Sequence, residues 1–368
     1  MQPFKYGMVV GGENFCPRPE LERQLQEYAR SGQNLVIQGA RRMGKTSIIR
    51  HAIGGMRGMK LVYADLYFIR SQSDFCARVM HGISRASSEM SFLKKAMGFV
   101  HRLRPVLGLD PADGSFTISV DARAAEEPDS LDAVMDMLEK IAGDGKTCVV
   151  FDEFQDILNV PDSDQVLARM RSTIQFQQDT PYFFTGSVRN LMMDIFSNPD
   201  KPFFKSALPF AVEEIDRADF AKFISGRFRA GDRKISMATI AKVMDCADGI
   251  SGDVQELCDA LWTVTAPSED VTDAHIPAAL ELIFSRESKG YGMIAESLTS
   301  GQSVVLRTLA ESGDLRVYSA AFTSRTALAP SSVRRIVTKL VSSRILYVRD
   351  GIYRFHDPFF REWLKRRM

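Results

Sequence analysis

A short segment near residue 40 has the residue types and spacing needed to hold a phosphate group. It reads Gly39-Ala40-Arg41-Arg42-Met43-Gly44-Lys45-Thr46, which is G-x-x-x-x-G-K-T, and Ser47 follows it. The glycines let backbone N–H groups turn toward an anion, and a helix starting at Lys45 adds its positive N-terminal dipole. In this pattern Lys45 contacts the β- and γ-phosphates and the Thr46 hydroxyl ligates Mg²⁺. The segment therefore predicts a nucleoside triphosphate site.

Two consecutive acids, Asp152 and Glu153, follow the apolar segment 148–151. After a phosphate-binding loop, such a pair is expected to divide the work of phosphoryl transfer. Asp152 is expected to hold the magnesium, directly or through water, and Glu153 to orient and deprotonate the attacking water. The sequence thus predicts hydrolysis as well as binding.

A further strand is predicted at 182–185, and it ends in Gly186-Ser187. Ser187 is a candidate catalytic residue that would lie beside the γ-phosphate and sense nucleotide state. The other interpretation is a turn in which Gly and Ser only provide the backbone geometry. The chain has no N-K-x-D sequence of the kind that reads guanine, which favours adenine.

These segments are expected to be positioned by an α/β fold. Short apolar strands are predicted at 34–38, 60–66, 147–151 and 182–185, with helices at 19–31, 45–53 and 130–142. Such alternation predicts a parallel sheet covered by helices on both faces. Within the insertion between the second and third strands, alternating residues at 116–121 predict a half-exposed edge strand.

The remainder of the chain is predicted to form two smaller domains. Helical periodicity dominates 215–290, with helices expected at 218–228, 236–247, 253–264 and 273–284, and the Ser- and Gly-rich segment 288–303 is expected to be a linker. The predicted domains are a P-loop α/β domain at 1–214, a helical lid at 215–290 and a winged helix at 300–368.

The C-terminal segment combines an amphipathic helix with a basic hairpin. After Pro330, apolar residues at 333, 336, 337, 340 and 341 define one helix face, while Arg334, Arg335 and Lys339 lie on the other. The hairpin 346–355 turns at Asp350-Gly351 and carries Arg349 and Arg354. This predicts a winged helix that binds duplex DNA. The alternative is a winged helix that binds a protein partner or its own ATPase domain.

Charge and cysteine content support these interpretations. Residues 301–368 hold 13 Lys and Arg against 5 Asp and Glu, whereas residues 1–300 hold 34 against 41. A basic end on an acidic body suggests polyanion binding. The five cysteines are scattered without a C-x-x-C pair, so neither a zinc site nor a disulfide framework is indicated. No membrane span or secretory signal is predicted, so we expect a cytoplasmic protein.

Several segments together resemble a known family. They are Phe15-Cys16-Pro17-Arg18-Pro19-Glu20-Leu21, Gly39 to Ser47, Asp152-Glu153-Phe154-Gln155, Gly186-Ser187, Pro202-Phe203-Phe204 and His356-Asp357-Pro358-Phe359 with Trp363. The chain resembles the AAA+-like ATPases often called archaeal-type ATPases, within or close to the STAND group.

The resemblance implies an AAA+-like sheet, ATP rather than GTP, and a nucleotide-binding role for Arg18 in a box beside the adenine. The lid segment Ser251-Gly252-Asp253-Val254-Gln255 has neither the proline nor the arginine that is common in this family, so hydrolysis is expected to be slow. The first hypothesis is a magnesium-dependent ATPase, cycling between ATP and ADP, whose nucleotide state controls DNA binding. The alternative is a slow signalling switch or scaffold that recruits a protein; a homo-oligomer is compatible with either.

Overall fold

The computed structural model describes residues 3–86, 106–109, 116–119, 128–140, 146–186, 189–312, 316–349 and 351–367. The chain divides into two compact units. The sheet unit comprises residues 17–213, and the helical unit comprises residues 1–16 and 214–368.

The sheet unit is built on a five-stranded parallel sheet. Its strands, with those of the insertion, are β1 (Leu35–Gln38), β2 (Met59–Asp65), β3 (Val106–Leu109), β4 (Phe116–Ser119), β5 (Lys146–Asp152), β6 (Tyr182–Thr185) and β7 (Leu208–Ala211). The order in the main sheet is β2-β5-β6-β1-β7, and every pairing is parallel. Because helices flank the sheet, its central strands are buried apolar runs. The predicted α/β fold class is confirmed.

Helices connect the strands of the sheet unit. They are α1 (Pro19–Arg30), α2 (Lys45–Gly54), α3 (Gln72–Ala86), α4 (Pro128–Lys140), α5 (Ser163–Ile174) and α6 (Arg189–Ser197), with a 3-10 helix at Phe154–Asn159. The helix α1 shows why such segments form here: Pro19 occupies its first turn, Glu20 and Glu22 lie near the positive end of its dipole, and Leu25 and Ala29 are buried.

The insertion forms a small sheet of its own. Strand β4 pairs antiparallel with β3, in a two-stranded sheet separate from the main one. The alternating pattern therefore located a strand correctly at 116–119, but its partner was not predicted, and residues 120–121 lie outside the described residues.

The helical unit contains two 3-10 helices, at Gly12–Asn14 and Asp273–His275, and the other described α-helices and strands. These α-helices and strands are α7 (Arg217–Ala230), α8 (Met237–Cys246), α9 (Ser251–Val264), α10 (Ile276–Ser297), α11 (Ser300–Ser312), α12 (Ala320–Thr326), α13 (Pro330–Ser342), β8 (Leu346–Arg349), β9 (Ile352–Phe355) and α14 (Pro358–Arg367). Side-chain caps begin several of these α-helices: the Asp216 carboxylate accepts from the N–H groups of Ala218 and Asp219, the Ser236 hydroxyl accepts from that of Thr239, and the Ser319 hydroxyl accepts from that of Phe322.

The prediction of a linker at 288–303 is wrong. Helix α10 continues to Ser297, and α11 begins at Ser300. The reason is the packing of Tyr291, which is 3% exposed, lies with its ring against Phe360 and Trp363, and donates a hydrogen bond to Asp357 Oδ2 at 2.8 Å. Tertiary packing thus overrides the weak helix propensity of the nearby Gly and Ser residues.

The C-terminal elements form the predicted winged helix. Val333, Val337 and Leu340 of α13 are buried, as the amphipathic pattern requires. Strands β8 and β9 pair antiparallel, and Gly351 between them has φ of +77°. A left-handed residue is what a tight hairpin turn needs. The domain boundaries predicted from the sequence stay predictions.

Candidate functional site

The loop between β1 and α2 has the shape of an anion cradle. A Cβ atom on Gly39 would lie 2.6 Å from the Val212 carbonyl oxygen, so only glycine fits where the chain leaves β1. Gly44 takes a φ of +79° immediately before α2, and Arg42 also has a left-handed φ of +65°. This winding brings the chain back to the N-terminus of α2, where the free N–H groups of the first turn favour an anion.

Lys45 lies at the base of this loop and is only 7% exposed. Its Nζ donates hydrogen bonds to the carbonyl oxygens of Gly39 at 2.9 Å and Ala40 at 3.0 Å. Burial lowers the pKa of Lys45 from its usual value, while the nearby carboxylates of Glu153 and Asp152 oppose that shift. The ammonium is therefore positioned inside the loop, where a phosphate oxygen can replace a backbone carbonyl as its hydrogen-bond acceptor.

Asp152 joins the loop to the centre of the sheet. The Thr46 hydroxyl donates to Asp152 Oδ2 at 2.7 Å, and the Thr185 hydroxyl donates to Asp152 Oδ1 at 3.2 Å. These contacts follow from the strand order, since β6 lies between β1 and β5 and the carboxyl ends of all three meet at one edge. The two predicted magnesium ligands are thus in direct contact.

The residues at this edge fit a magnesium ion. Mg²⁺ prefers hard oxygen ligands and uses one or two carboxylates together with substrate phosphates. Thr46 and Asp152 supply a hydroxyl and a carboxylate, and Asp152 is 7% exposed. The Thr46 hydroxyl and the Asp152 carboxylate therefore offer the oxygen ligands that Mg²⁺ prefers.

Glu153 lies immediately beyond β5 in a left-handed conformation, with φ of +50°. The side-chain amide of Gln155 donates to Glu153 Oε2 at 2.6 Å and to Asp156 Oδ1 at 3.3 Å. Gln155 itself is 3% exposed. The amide therefore fixes the direction of the carboxylate that was predicted to activate water.

Other predicted site residues are placed as follows. Arg18 donates through Nη2 to the Met43 carbonyl at 3.0 Å and through Nη1 to the Glu213 carbonyl at 3.2 Å, so it supports the loop from outside. The side chain of Arg41 is exposed and that of Ser47 is buried on α2. Ser187 lies outside the described residues. The nucleotide-binding role of Arg18 stays a prediction.

The sequence did not predict two further partners of Asp152. They are Thr185 and Tyr63, whose hydroxyl also donates to Asp152 Oδ2. Burial, and next the Asp152 charge, raises the pKa of Tyr63, so its hydroxyl keeps the proton that it donates. The available signal was a hydroxyl-bearing residue near the carboxyl end of each of two strands, but the acid that these hydroxyls contact depends on the sheet order.

The candidate DNA-binding residues occupy different environments. Arg334, Arg335 and Lys339 are exposed on α13, and the Arg334 guanidinium lies 5.6 Å from the ring centroid of Tyr318. Arg354 is half-buried and lines a cavity of about 70 Å³ with Asp248 and Arg361, among others. The side chain of Arg349 lies outside the described part of the chain. Only the helix residues thus form a described basic face.

Comparison with known proteins identifies the fold. The chain is similar to the Walker-type ATPase PABY2304 of Pyrococcus abyssi, with a TM-score of 0.67 at 17% identity, over 99% of each chain. The chain has the AAA+-type P-loop fold. It is also similar to the Aeropyrum pernix ORC2 protein in its ADP form, with a TM-score of 0.51 at 13% identity, over 96% of this chain and 95% of that one.

The C-terminal fold is recognised independently. A family described as a probable winged helix domain matches residues 289–366. A comparison with curated proteins finds no match. Across the described residues, no helix has both the length and the apolar character required to cross a membrane.

The structural match over 99% of the chain and the winged-helix match confirm, at the level of the fold, the resemblance drawn from the sequence.

Proposed function

We propose that this chain is an ATPase that binds Mg²⁺ and ATP at residues 39–47 and hydrolyses the nucleotide. The observation that carries the proposal is the 2.7 Å hydrogen bond from Thr46 to Asp152, with Glu153 adjacent. That contact brings together the phosphate loop and the acidic strand end, which lie far apart in the sequence. The shared fold with a Walker-type ATPase and with an ADP-bound protein supports the same conclusion.

Each residue has a distinct role in this reaction. Lys45 neutralises the β- and γ-phosphate oxygens, and Thr46 and Asp152 hold the magnesium. Magnesium, when bound, neutralises the charge that develops on the phosphates. Glu153 accepts a proton from the attacking water as the water oxygen bonds to the γ-phosphorus. The bond from that phosphorus to the β–γ bridging oxygen breaks, which releases ADP and phosphate.

We further propose that nucleotide state controls contact between the winged helix and duplex DNA. Arg334, Arg335 and Lys339 form an exposed basic face on α13, and the last 68 residues carry 13 basic against 5 acidic side chains. Contacts between such a face and phosphates release counterions, which makes binding steeply dependent on salt.

Steady-state ATP hydrolysis, measured with magnesium and with or without duplex DNA, tests both steps. We expect turnover that rises when DNA is added at about 50 mM salt and loses this stimulation at about 200 mM. Turnover that is independent of DNA at both salt concentrations would contradict the DNA step and leave the ATPase step intact. An absence of turnover in all conditions would contradict the ATPase step.

A second candidate function is a slow, STAND-like switch that recruits a protein. The observation that favours it is Tyr318, which is 48% exposed beside Arg334 and whose hydroxyl lies 3.0 Å from that of Tyr353. Tyrosine and arginine are enriched where protein interfaces are strongest. This function would be favoured if the purified protein retains ADP, hydrolyses ATP at a negligible rate and shows no change in that rate when DNA is added.

A further inference from the structure

Two aromatic side chains project from the sheet unit immediately after β2. Tyr67 is 64% exposed and Phe68 is 59% exposed, and their ring centroids lie 6.2 Å apart. The residues on either side, Leu66 and Ile69, are buried at 0% and 1% exposure. We call Tyr67 and Phe68 the aromatic tip. Adjacent exposed aromatics held between buried anchors are typical of interaction sites.

The aromatic tip is held in a strained conformation. Phe68 has a φ of +62°, which is rare for a bulky residue and persists only when the surroundings enforce it. Its N–H donates to Asp156 Oδ2 at 2.7 Å, and the N–H of Tyr67 donates to Asp65 Oδ1 at 2.9 Å. The Arg70 guanidinium lies 4.2 Å from the centroid of the Phe68 ring. The backbone of the aromatic tip is therefore held in one arrangement, which reduces the entropy lost on binding.

The border of the aromatic tip is acidic. The carboxylates of Asp65 and Asp156 bind its backbone, and Asp74 accepts from the N–H of Arg70 at 2.9 Å. These three carboxylates outweigh the adjacent Arg70 cation and disfavour the phosphates of a nucleic acid. They favour a protein surface that combines apolar and basic side chains.

The same unit carries a surface of that kind. A cavity of about 500 Å³ is lined by Gln26, Arg30, Gly55, Met56, Arg57, Gly58, Met59 and Lys146. Met56 and Met59 provide apolar, adaptable side chains that make favourable contacts with aromatic rings, and Arg30 and Arg57 are exposed beside them. We call this the basic pocket.

The aromatic tip and the basic pocket lie at opposite ends of one strand. Met59 begins β2 and Asp65 ends it. One copy of the chain can therefore use both surfaces at once, each toward a different neighbour.

We propose that the aromatic tip of one copy docks into the basic pocket of a second copy. The aromatic rings would contact Met56 and Met59, and the acidic border would face Arg30 and Arg57. Such a contact is heterologous, because each copy contributes a different surface, and it generates rings or open chains.

Docking has a consequence that rests on the proposed function. Asp156 accepts from both the Phe68 N–H and the Gln155 amide, and Gln155 also donates to Glu153. A neighbour on the aromatic tip is thus connected through hydrogen bonds to the proposed base, so turnover per chain should change with protein concentration. The association itself is measured as mass and does not depend on turnover.

Analytical ultracentrifugation of two variants and their mixture tests the proposal. Phe68→Asp removes the tip and keeps the pocket, while Arg30→Glu/Arg57→Glu reverses the pocket charge and keeps the tip. The wild-type protein should increase in mass with concentration, and each variant alone should associate about tenfold more weakly or not at all. An equimolar mixture should form a dimer and stop there, because only one tip and one pocket remain intact.

Matched variants test whether a loss of association is specific to the aromatic tip. Phe176, which is 76% exposed elsewhere in the same unit, provides the control Phe176→Asp, which should associate like the wild type. Tyr67→Asp serves as a second tip variant, and circular dichroism checks the folding of each.

The proposal is overturned if the wild type stays monomeric at all concentrations, or if the mixture of folded variants forms no dimer. Binding of a thirty-nucleotide oligo(dT) probe that requires Phe68, by a monomeric protein, would instead identify nucleic acid as the occupant and would also overturn it.

Discussion

The phosphate site of the sheet unit and the basic face of α13 use charge in opposite ways. At the phosphate site, Asp152 accepts hydrogen bonds from three hydroxyl groups and from the N–H of Glu153, and Lys45 is 7% exposed. On α13, Arg334 and Lys339 extend into solvent from a helix whose other face is core. One region buries its charges among hydrogen-bond partners, and the other exposes them to solvent.

The difference reflects what each region is proposed to do. Catalysis needs groups preorganised around the charge of the transition state, so that no reorganisation is required during the reaction. Binding to a phosphate backbone needs charge density and tolerates variation in geometry. A single change that removes one functional group should therefore cause a large loss of activity at the phosphate site, whereas changes on α13 should weaken binding in increments.

The largest effect is expected for Glu153→Gln. The amide cannot accept the proton of the attacking water, so turnover should fall by about 10²- to 10⁴-fold. Nucleotide affinity should change little, because Lys45 and the loop are unaltered. Steady-state turnover and equilibrium binding of a fluorescent ATP analogue measure the two quantities separately.

Glu153→Asp is the matched control, since it keeps the carboxylate and shortens its reach. It should retain more activity than Glu153→Gln. Unchanged turnover in Glu153→Gln would remove this residue from the mechanism and weaken the contrast between the two regions.

The next largest effect is expected for Lys45→Ala. It removes the buried ammonium that bonds to Gly39 and Ala40 and that is proposed to bind phosphate. Hydrogen bonds to charged groups contribute about 1.5–3 kcal/mol each, so ATP affinity should fall by about 100-fold. Arg41→Ala removes an exposed charge from the same loop and should have a much smaller effect. Equal losses in both variants would mean that net charge, rather than position, governs binding.

The contrast also explains which features the sequence could predict. The positions of Lys45 and Thr46 follow from one strand, loop and helix, so the spacing of the motif alone determines them. The contacts of Tyr63 and Thr185 with Asp152 require the order β2-β5-β6-β1, which no local pattern encodes.

The same limit accounts for the features that the sequence pattern missed. The linker at 288–303 was predicted from composition, whereas the packing of Tyr291 against α14 determines the helix. Arg354 was predicted as a DNA-binding residue of the hairpin, but its side chain is half-buried and lines a cavity with Asp248 and Arg361. In each case the missing information is a contact with a distant segment.

The smallest effect per residue is expected on the basic face. Replacing Arg334, Arg335 and Lys339 together with Ala should lower duplex DNA affinity by about tenfold or more and reduce the slope of log affinity against log salt by about 2.7, since each phosphate contact contributes about 0.9. Fluorescence anisotropy with a labelled duplex, measured from about 50 to 200 mM salt, gives both values.

The control replaces Lys365, Arg366 and Arg367 on α14 with Ala, which removes an equal charge. Arg366 and Arg367 already pair with Glu281. If both triple variants reduce the slope equally, binding follows the net charge of the module; a larger reduction for the α13 variant would place the DNA on that helix.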